Sequence, residues 1–357
     1  MAMQGFVLTP GRINKFKGQI LKHAEPLEIL CKAGEQIQMP KNVSDTYVAR
    51  RWLPYGGTLT SASSINQFFQ NGPGDRGSAI VQAHQAGEGI TPTPDSITPQ
   101  DTTVVLQQYS CLYGFTDKTA NLYEDDIPQA MIIQTGERIT FVNELIVYGA
   151  LKACTNAFYG GALANSRSTV NGGITLGLLR KIAKNLQANH GQPMNRMLKP
   201  GPDYGTTAVA EGYTCYVHTD AEPDIRDLPG FTPVELYGSG SSMPREIGKC
   251  ERFRFITHPD LPSIQDSGAA VGATGLISTS GTNIDVFPMI MTAQDAWSQI
   301  AVKGLNALDP TFIAAGEKTK SDPLGQRGYC GSIWWKAVMI QNQGWMAAAF
   351  VGLRVLS

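Results

Sequence analysis

The chain has 357 residues, with 29 Lys and Arg against 30 Asp and Glu, a formal charge of -1. That balance excludes a protein whose main task is to grip duplex DNA by its phosphates, because such binding draws on a clear surplus of cations. Hydrophobic residues make up 42% and allow a real core, while charged residues are only 17%, below the roughly 25% usual for a soluble domain; the surface must use Ser, Thr, Gly, Asn, Gln and apolar groups instead, which suits an assembling protein.

The length allows two or three domains, and 38 Gly with 21 Pro point to many turns and few long helices. No run of about 18 apolar residues offers a membrane-spanning helix. Met1 to Leu8 lacks the regions of a signal peptide. The six cysteines, Cys31, Cys111, Cys154, Cys215, Cys250 and Cys330, form no C-x-x-C pair and read as reduced, mostly buried thiols of a cytoplasm-like setting.

In chain order, Gly11 to Ala24 places Ile13, Phe16, Ile20 and Leu21 at helical spacing, opposite Arg12, Lys15, Lys17 and Lys22. It reads either as a packed N-terminal helix or as an arm that docks on a neighbour. Leu27 to Pro40 has too few periodic apolar positions to define an element. Thr46 to Tyr55 alternates and is rich in β-branched and aromatic residues, a strand. The next strand signal is Thr102 to Asp117. The roughly 45 residues between them, with GPGDRG at Gly72 to Gly77 and TPTPDSITP at Thr91 to Pro99, exceed the usual loop length of about 12 to 15 residues and call for a functional reason. Run out and back at about 3.3 Å per residue, such a loop could put its tip roughly 70 Å from its root, far enough to cross a neighbour.

After the acidic run Glu124 to Asp126, Ile139, Val142, Ile146, Ala150, Ala153 and Ala157 define a long helical stripe, predicted to run from Thr135 to Tyr159 and to end at Gly160-Gly161. A second helix is predicted at Leu176 to Asn189, capped by Thr175 and stopped by Gly191; it buries Leu178, Leu179, Ile182, Ala183 and Leu186 and turns Arg180, Lys181 and Lys184 to water. Strands follow at Tyr213 to His218, Phe253 to Thr257, Ile284 to Met291 and Ser332 to Gln341, with a short acidic helix or turn at Ala221 to Leu228. The strand at Ser332 and the segment Trp345 to Leu356 read as a closing pair around Asn342 to Gly344. Without regular alternation of strand and helix, the class is α+β.

Catalytic constellations are not visible. Neither phosphate loop, G-x-x-x-x-G-K-[ST] or G-x-G-x-x-G, occurs, and neither H-E-x-x-H nor a hydrolase G-x-S-x-G elbow is present. His23, His84, His190, His218 and His258 pair locally with no nucleophile. Cys215 with His218 has no second metal half-site at zinc-like spacing and reads as a sheet pair. Asp125 with Asp126, and Asp224 with Asp227, read as helix-start carboxylates. The expectation is no enzyme, no cofactor and no metal.

Four stretches together are similar to one family: MPKNVSDTYVARRWLPY at Met39 to Tyr55, AGEGITPTPDSIT at Ala86 to Thr98, LQQYSCLYGFTDKTANLYEDD at Leu106 to Asp126, and DPLGQRGYCGSIWWKAVMIQNQGWMAAAF at Asp322 to Phe350. The chain resembles the major capsid proteins of tailed bacteriophages, in the group typified by the short-tailed coliphage N-four. Gly191 to Asn283 carries the resemblance least, with YTCYVHTDAEPDI at Tyr213 to Ile225 its clearest part.

The resemblance implies the Hong Kong 97 type shell fold, divided into an N-terminal arm at 1–44, an extended β-hairpin loop with its root strands at 45–117, a peripheral domain with a spine helix at 118–172, an axial domain at 173–320, and closing strands at 321–357. It also implies hexamers and pentamers closing into an icosahedral virion shell, assembled in the host bacterial cytoplasm around double-stranded DNA that is enclosed without sequence-specific binding. No membrane partner is expected. The short arm leaves no room for a fused scaffolding domain, so a separate scaffolding protein is expected, with a portal and room for a cement protein. Candidate subunit-interface residues are Arg50, Arg51, Trp52 and Tyr55 where the loop leaves the body, Phe68, Phe69, Arg76 and Glu88 within the loop, and Phe16 and Lys17 in the arm; Arg and aromatic side chains dominate interface energies. Two other readings stay open on residues alone: a soluble α+β enzyme or carbohydrate-binding module whose active groups meet only in three dimensions, or another phage component such as a decoration or tail protein.

Overall fold

The computed structural model describes residues 28–52, 85, 87–89, 91, 97, 99–122, 127–198, 206–237, 242–272, 274–302, 309–316, 318 and 322–356. In chain order these form α1 (Leu30–Ala33), β1 (Glu35–Met39), β2 (Thr46–Trp52), β3 (Pro99–Val105), β4 (Gln107–Thr116), α2 (Asp117–Leu122), α3 (Ile127–Lys152), β5 (Ala157–Tyr159), α4 (Leu176–Ala188), β6 (Met194–Leu198), β7 (Thr206–His218) and α5 (Glu222–Arg226). Then come β8 (Thr232–Pro233), β9 (Glu246–Cys250), β10 (Phe253–His258), β11 (Phe287–Thr292), β12 (Trp297–Val302), β13 (Asp309–Ile313), β14 (Arg327–Ile340) and β15 (Met346–Val351). The predicted helix at Gly11 to Ala24 lies outside the described residues.

The chain divides into two compact units, one drawing on the stretch up to Tyr47, Val104–Ala150 and Trp297–Met339, the other on Val48–Thr103, Leu151–Ala296 and the stretch from Ile340. In the first unit β1, β12, β14 and β13 form a sheet in that order, and β4 joins β14 antiparallel from Gln107 opposite Lys336 to Thr116 opposite Arg327. Alternation along β4 turns Cys111 and Phe115 inward and leaves Leu112 exposed. Helix α3 covers the inward face: Ile139 packs with Cys111 and Trp334, and Ile132 with Cys330. Trp334 Nε1 donates to Asn143 Oδ1 at 2.9 Å, which satisfies the buried indole.

Helix α3 differs from its prediction at both levels. It ends at Lys152, and Ala157–Tyr159 is a strand pairing parallel with β15. Its buried side chains are Ile132, Thr135, Ile139, Thr140, Glu144, Val147, Tyr148 and Leu151, so of the predicted stripe only Ile139 lies fully buried on the helix. Apolar periodicity misses this face because polar residues sit on it. Thr135 Oγ1 donates to Met131 O at 2.7 Å and lies 3.6 Å from Cys330 Sγ.

Glu144 is the more consequential case. Its carboxylate, 2% exposed, accepts the backbone N–H groups of Ile29 at 2.7 Å, Leu30 at 3.1 Å and Cys31 at 3.1 Å. Those are the orphan donors at the start of α1, and Glu144 caps them from more than a hundred residues away. Gln299 Nε2 donates to Cys31 O at 2.7 Å, and the Lys336 ammonium donates to Cys31 Sγ at 3.0 Å. At Gly34 the chain passes so close to the Trp297 ring that a Cβ would sit 2.5 Å from it, which only glycine permits. Strand β1 then pairs parallel with β12 from Glu35 opposite Ser298 to Met39 opposite Val302. The segment in which sequence pattern defined no element is thereby held to the first unit's own sheet.

In the second unit the order is β5-β15-β11-β7-β10-β9-β8, with β6 pairing β7. Strands β10, β11 and β15 are buried along their full length. Helix α4 matches its prediction: Thr175 Oγ1 accepts from Leu178 N, and Leu179, Ile182, Ala183 and Leu186 enter a core with Met289, Met291, Ala347 and Ala349. Leu178 is only partly buried. The expected closing pair does not form, since β14 belongs to the first unit's sheet while β15 pairs with β11 and β5 in the second.

A buried ion pair clasps β9 to β10. Arg254 donates from Nε to Glu246 Oε1 at 2.8 Å and from Nη2 to Oε2 at 2.7 Å, with both side chains at most 2% exposed. Tyr237 OH and Met243 N also donate to Glu246, at 2.6 and 2.7 Å, so the carboxylate also holds both ends of the chain between them. Burial, with the Glu246 charge beside it, pushes the Tyr237 phenol above its ordinary value.

Glu246→Ala removes the acid of a buried ion pair and is expected to cost about 3–5 kcal/mol, read as a lower denaturant midpoint. Glu144→Ala is expected to free residues 29–39, read as faster amide exchange there with β9 and β10 unchanged. Burial pushes the Cys31 thiol up to about 12 from 9.0. The folded protein therefore keeps a proton that the unfolded chain releases, so this thiol's contribution is complete below pH 9.0 and lost as pH climbs toward 12. Cys31→Ser should flatten the loss of stability in that window.

Candidate intersubunit surfaces

The strands expected to flank the long loop, β2 and β3, form a two-stranded ribbon; most of the stretch between them lies outside the described residues. Leu106 separates β3 from β4; its side chain is buried and its N–H donates to Asp45 O at 2.8 Å, closing the base of the ribbon. The expected single strand from Thr102 to Asp117 is thus two strands, one in the ribbon and one in the first unit's sheet.

Arg50 meets Asp101 across the ribbon through two parallel bonds, Nε to Oδ1 at 2.7 Å and Nη2 to Oδ2 at 2.9 Å. Arg51 donates to Gln100 Oε1 from Nε at 2.9 Å and Nη2 at 2.6 Å. Its Nη1 reaches Gln341 O at 3.3 Å. The partners run in opposite directions along the two strands, so the ribbon is antiparallel, with Trp52 level with Pro99 and Val48 with Thr103.

Side chains alternate between its faces. One face carries Tyr47, Ala49, Arg51, Gln100, Thr102 and Val104, all partly buried. The other exposes Val48, Arg50, Trp52, Asp101 and Val105, with Trp52 61% exposed. The Arg50 guanidinium hydrogen-bonded to Asp101 holds that carboxyl below its ordinary range, while burial lowers Arg51. The pair is exposed and aligns the strands more than it stabilises them.

Of the other interface candidates, Glu88 lies exposed in a turn, and Tyr55, Phe68, Phe69, Arg76, Phe16 and Lys17 lie outside the described residues. A second surface had no signal in sequence. On the face of the first unit's sheet opposite α3, Leu112, Ile313 and Ile333 are exposed and Tyr329 and Trp335 are partly buried. Register brings them together: Leu112 stands opposite Gly331, Ile333 opposite Ser110, and Tyr329 lies between Gly114 and Ile313. Only the strand pairing makes these separated residues one apolar face.

Among the described residues no group of three His, Cys, Asp or Glu is placed to hold a metal. Asp224 and Asp227 are engaged by Arg354, whose Nη2 donates to Asp227 Oδ2 at 2.6 Å and whose N–H donates to Asp224 Oδ2 at 3.1 Å. They clamp the C-terminal segment to α5. Cys215 is fully buried in β7, and His218 Nδ1 accepts from Asp220 N at 3.1 Å, which caps the turn after that strand. All six cysteines are free thiols, and burial raises every one above its ordinary value. Such thiols are poor nucleophiles.

No family model matches the chain. It is 22% identical over 201 residues to the major capsid protein of Pseudomonas phage KPP21, a match covering 53% of this chain and about half, 51%, of that relative. Three solved structures are similar over most of their length: the capsid of Ralstonia phage GP4 (TM-score 0.59, 10% identity, 92% of this chain and 88% of that one), the capsid asymmetric unit of cyanophage Pam1 (0.56, 12%, 99% and 95%), and the head of Helicobacter pylori bacteriophage KHP40 (0.54, 11%, 91% and 88%). At these identities the likeness lies in the fold: this α+β chain has the architecture of a tailed-phage capsid subunit.

Proposed function

We propose that the chain is a major capsid protein, the repeating subunit of an icosahedral phage shell that encloses double-stranded DNA and carries out no covalent chemistry. The observation that carries this reading is the agreement of fold with phage capsid and head subunits over nine-tenths of the chain or more. The curated capsid relative supports it independently at the level of sequence.

On this reading the ribbon is the root of the extended loop, α3 is the spine, the first unit is the peripheral domain and the second the axial domain. Two apolar surfaces then acquire a purpose. The ribbon face with Val48, Trp52 and Val105 and the sheet face with Leu112, Ile313 and Ile333 are what a neighbour would cover, and removing apolar area from water contributes roughly 25 cal/mol per Å². Strand addition at a sheet edge supplies backbone hydrogen bonds. Each contact is modest, but a closed shell engages several per subunit at once, as linked sites do. Arg50 and Arg51 act in this scheme by holding the ribbon straight and presenting Trp52. A separate scaffolding protein, a portal, and hexameric and pentameric arrangement belong to the same proposal.

Size-exclusion chromatography with negative-stain microscopy of the full chain tests it: shells, capsomers or sheets are expected, and a species that stays monomeric at high concentration would overturn it. Uniform shells from this chain expressed alone would remove the need for a scaffolding protein. Arg50→Ala with Arg51→Ala, and separately Trp52→Ala, should reduce particle yield several-fold with unchanged circular dichroism; equal yields would dismiss the ribbon's role.

A further inference from the structure

The solvent face of α4 carries Arg180, Lys181 and Lys184 and no acidic residue. The arrangement does not serve the helix. Arg180 and Lys184 are like charges four residues apart, which disfavours a helix, and no cation stands in the last turn where the dipole would welcome one. The turn after β9 extends the patch: Glu251 accepts from Arg180 Nη2 at 2.7 Å, and in the amide orientation that satisfies both groups Gln187 accepts from Arg252 Nε at 3.1 Å. The Lys181 ammonium lies 5.8 Å from the centroid of the Phe158 ring, a cation–π contact that orients the side chain while the residue stays exposed. The carboxylates tied to this group are Glu251 and, on β7, Glu211, which acts on Tyr213 together with Arg252. Among the described residues, four cations (Arg180, Lys181, Lys184 and Arg252) against Glu251 and Glu211 make a local positive surface on a chain whose total charge is -1.

We propose that this face of α4 is a weak, sequence-independent contact for nucleic-acid phosphates and therefore faces the shell's interior. The choice of nucleic acid as partner rests on the shell reading above, while the patch rests on the geometry of α4 alone. Few cations are involved, so few counterions are released in total: affinity is low, and log affinity falls with log salt by only about 0.9 per phosphate neutralised. Such a contact lets packaged DNA lie against the wall without being gripped.

The test measures binding of the purified full chain to a labelled random-sequence DNA duplex by fluorescence anisotropy across a salt series. Lys181→Ala with Lys184→Ala should lower affinity about tenfold and make the slope of log affinity against log salt shallower by about two. Lys32→Ala with Lys152→Ala, on the first unit and in the last turn of α3, should leave both unchanged. Undetectable binding by the unmodified chain, or equal affinity and slope in the α4 variant, overturns the proposal. So does a variant that loses binding to polyglutamate but keeps binding to the duplex, which would make the partner an acidic protein. Particles that form normally while DNA binding is insensitive to α4 reject this inference and spare the shell reading; salt-dependent loss of DNA binding in a chain that never assembles does the reverse.

Discussion

A two-stranded ribbon has two faces and no core, and an isolated hairpin is at best marginally stable in water. Strands β2 and β3 face that constraint. Leu106 anchors their base, the Arg50–Asp101 and Arg51–Gln100 pairs set their register, and Gln341 O receives Arg51 on one face. The other face keeps Val48, Trp52 and Val105 in solvent. The ribbon's part in the proposed assembly follows from the need to cover that face.

The same economy of backbone hydrogen bonds governs the start of the described chain. Helix α1 is a single turn with no side-chain cap of its own. Its donors are buried against α3, where they would be costly if unmet, and Glu144 meets three of them. With Gln299, Lys336 and the Trp297 ring over Gly34, this carboxylate fixes α1 and the turn into β1 on the first unit. Glu246 plays a comparable part in the second unit, where one buried acid joins β9, β10 and the chain between Tyr237 and Met243. In each unit a single polar side chain, invisible to hydrophobic patterning, organises distant segments.

Among the described residues, the side chains most open to a chemical reading are engaged in structural contacts. Asp224 and Asp227, the acid pair most open to a catalytic or metal reading, bind Arg354, and the thiols are raised by burial. The surface proposed to meet a neighbour is instead an exposed one, made of apolar side chains that single-residue reasoning cannot distinguish from ordinary surface leucines and isoleucines. Leu112, Ile313 and Ile333 become a patch only through the pairing of β14 with β4 and β13.

By itself the sequence determined what local physics controls. Alternation placed β2 and the strands from Tyr213 and Phe253, and Thr175 with the apolar spacing defined α4 almost residue for residue. Tertiary structure decided what depends on partners far along the chain: the buried face of α3, set by Glu144 and Thr135; the parallel pairing of β1 with β12; and the separation of β14 from β15 into different sheets although a few residues join them. The reason is range. Propensity and periodicity act over a turn of helix or a few residues of strand, whereas a buried carboxylate or a sheet edge chooses among all segments the fold brings to it.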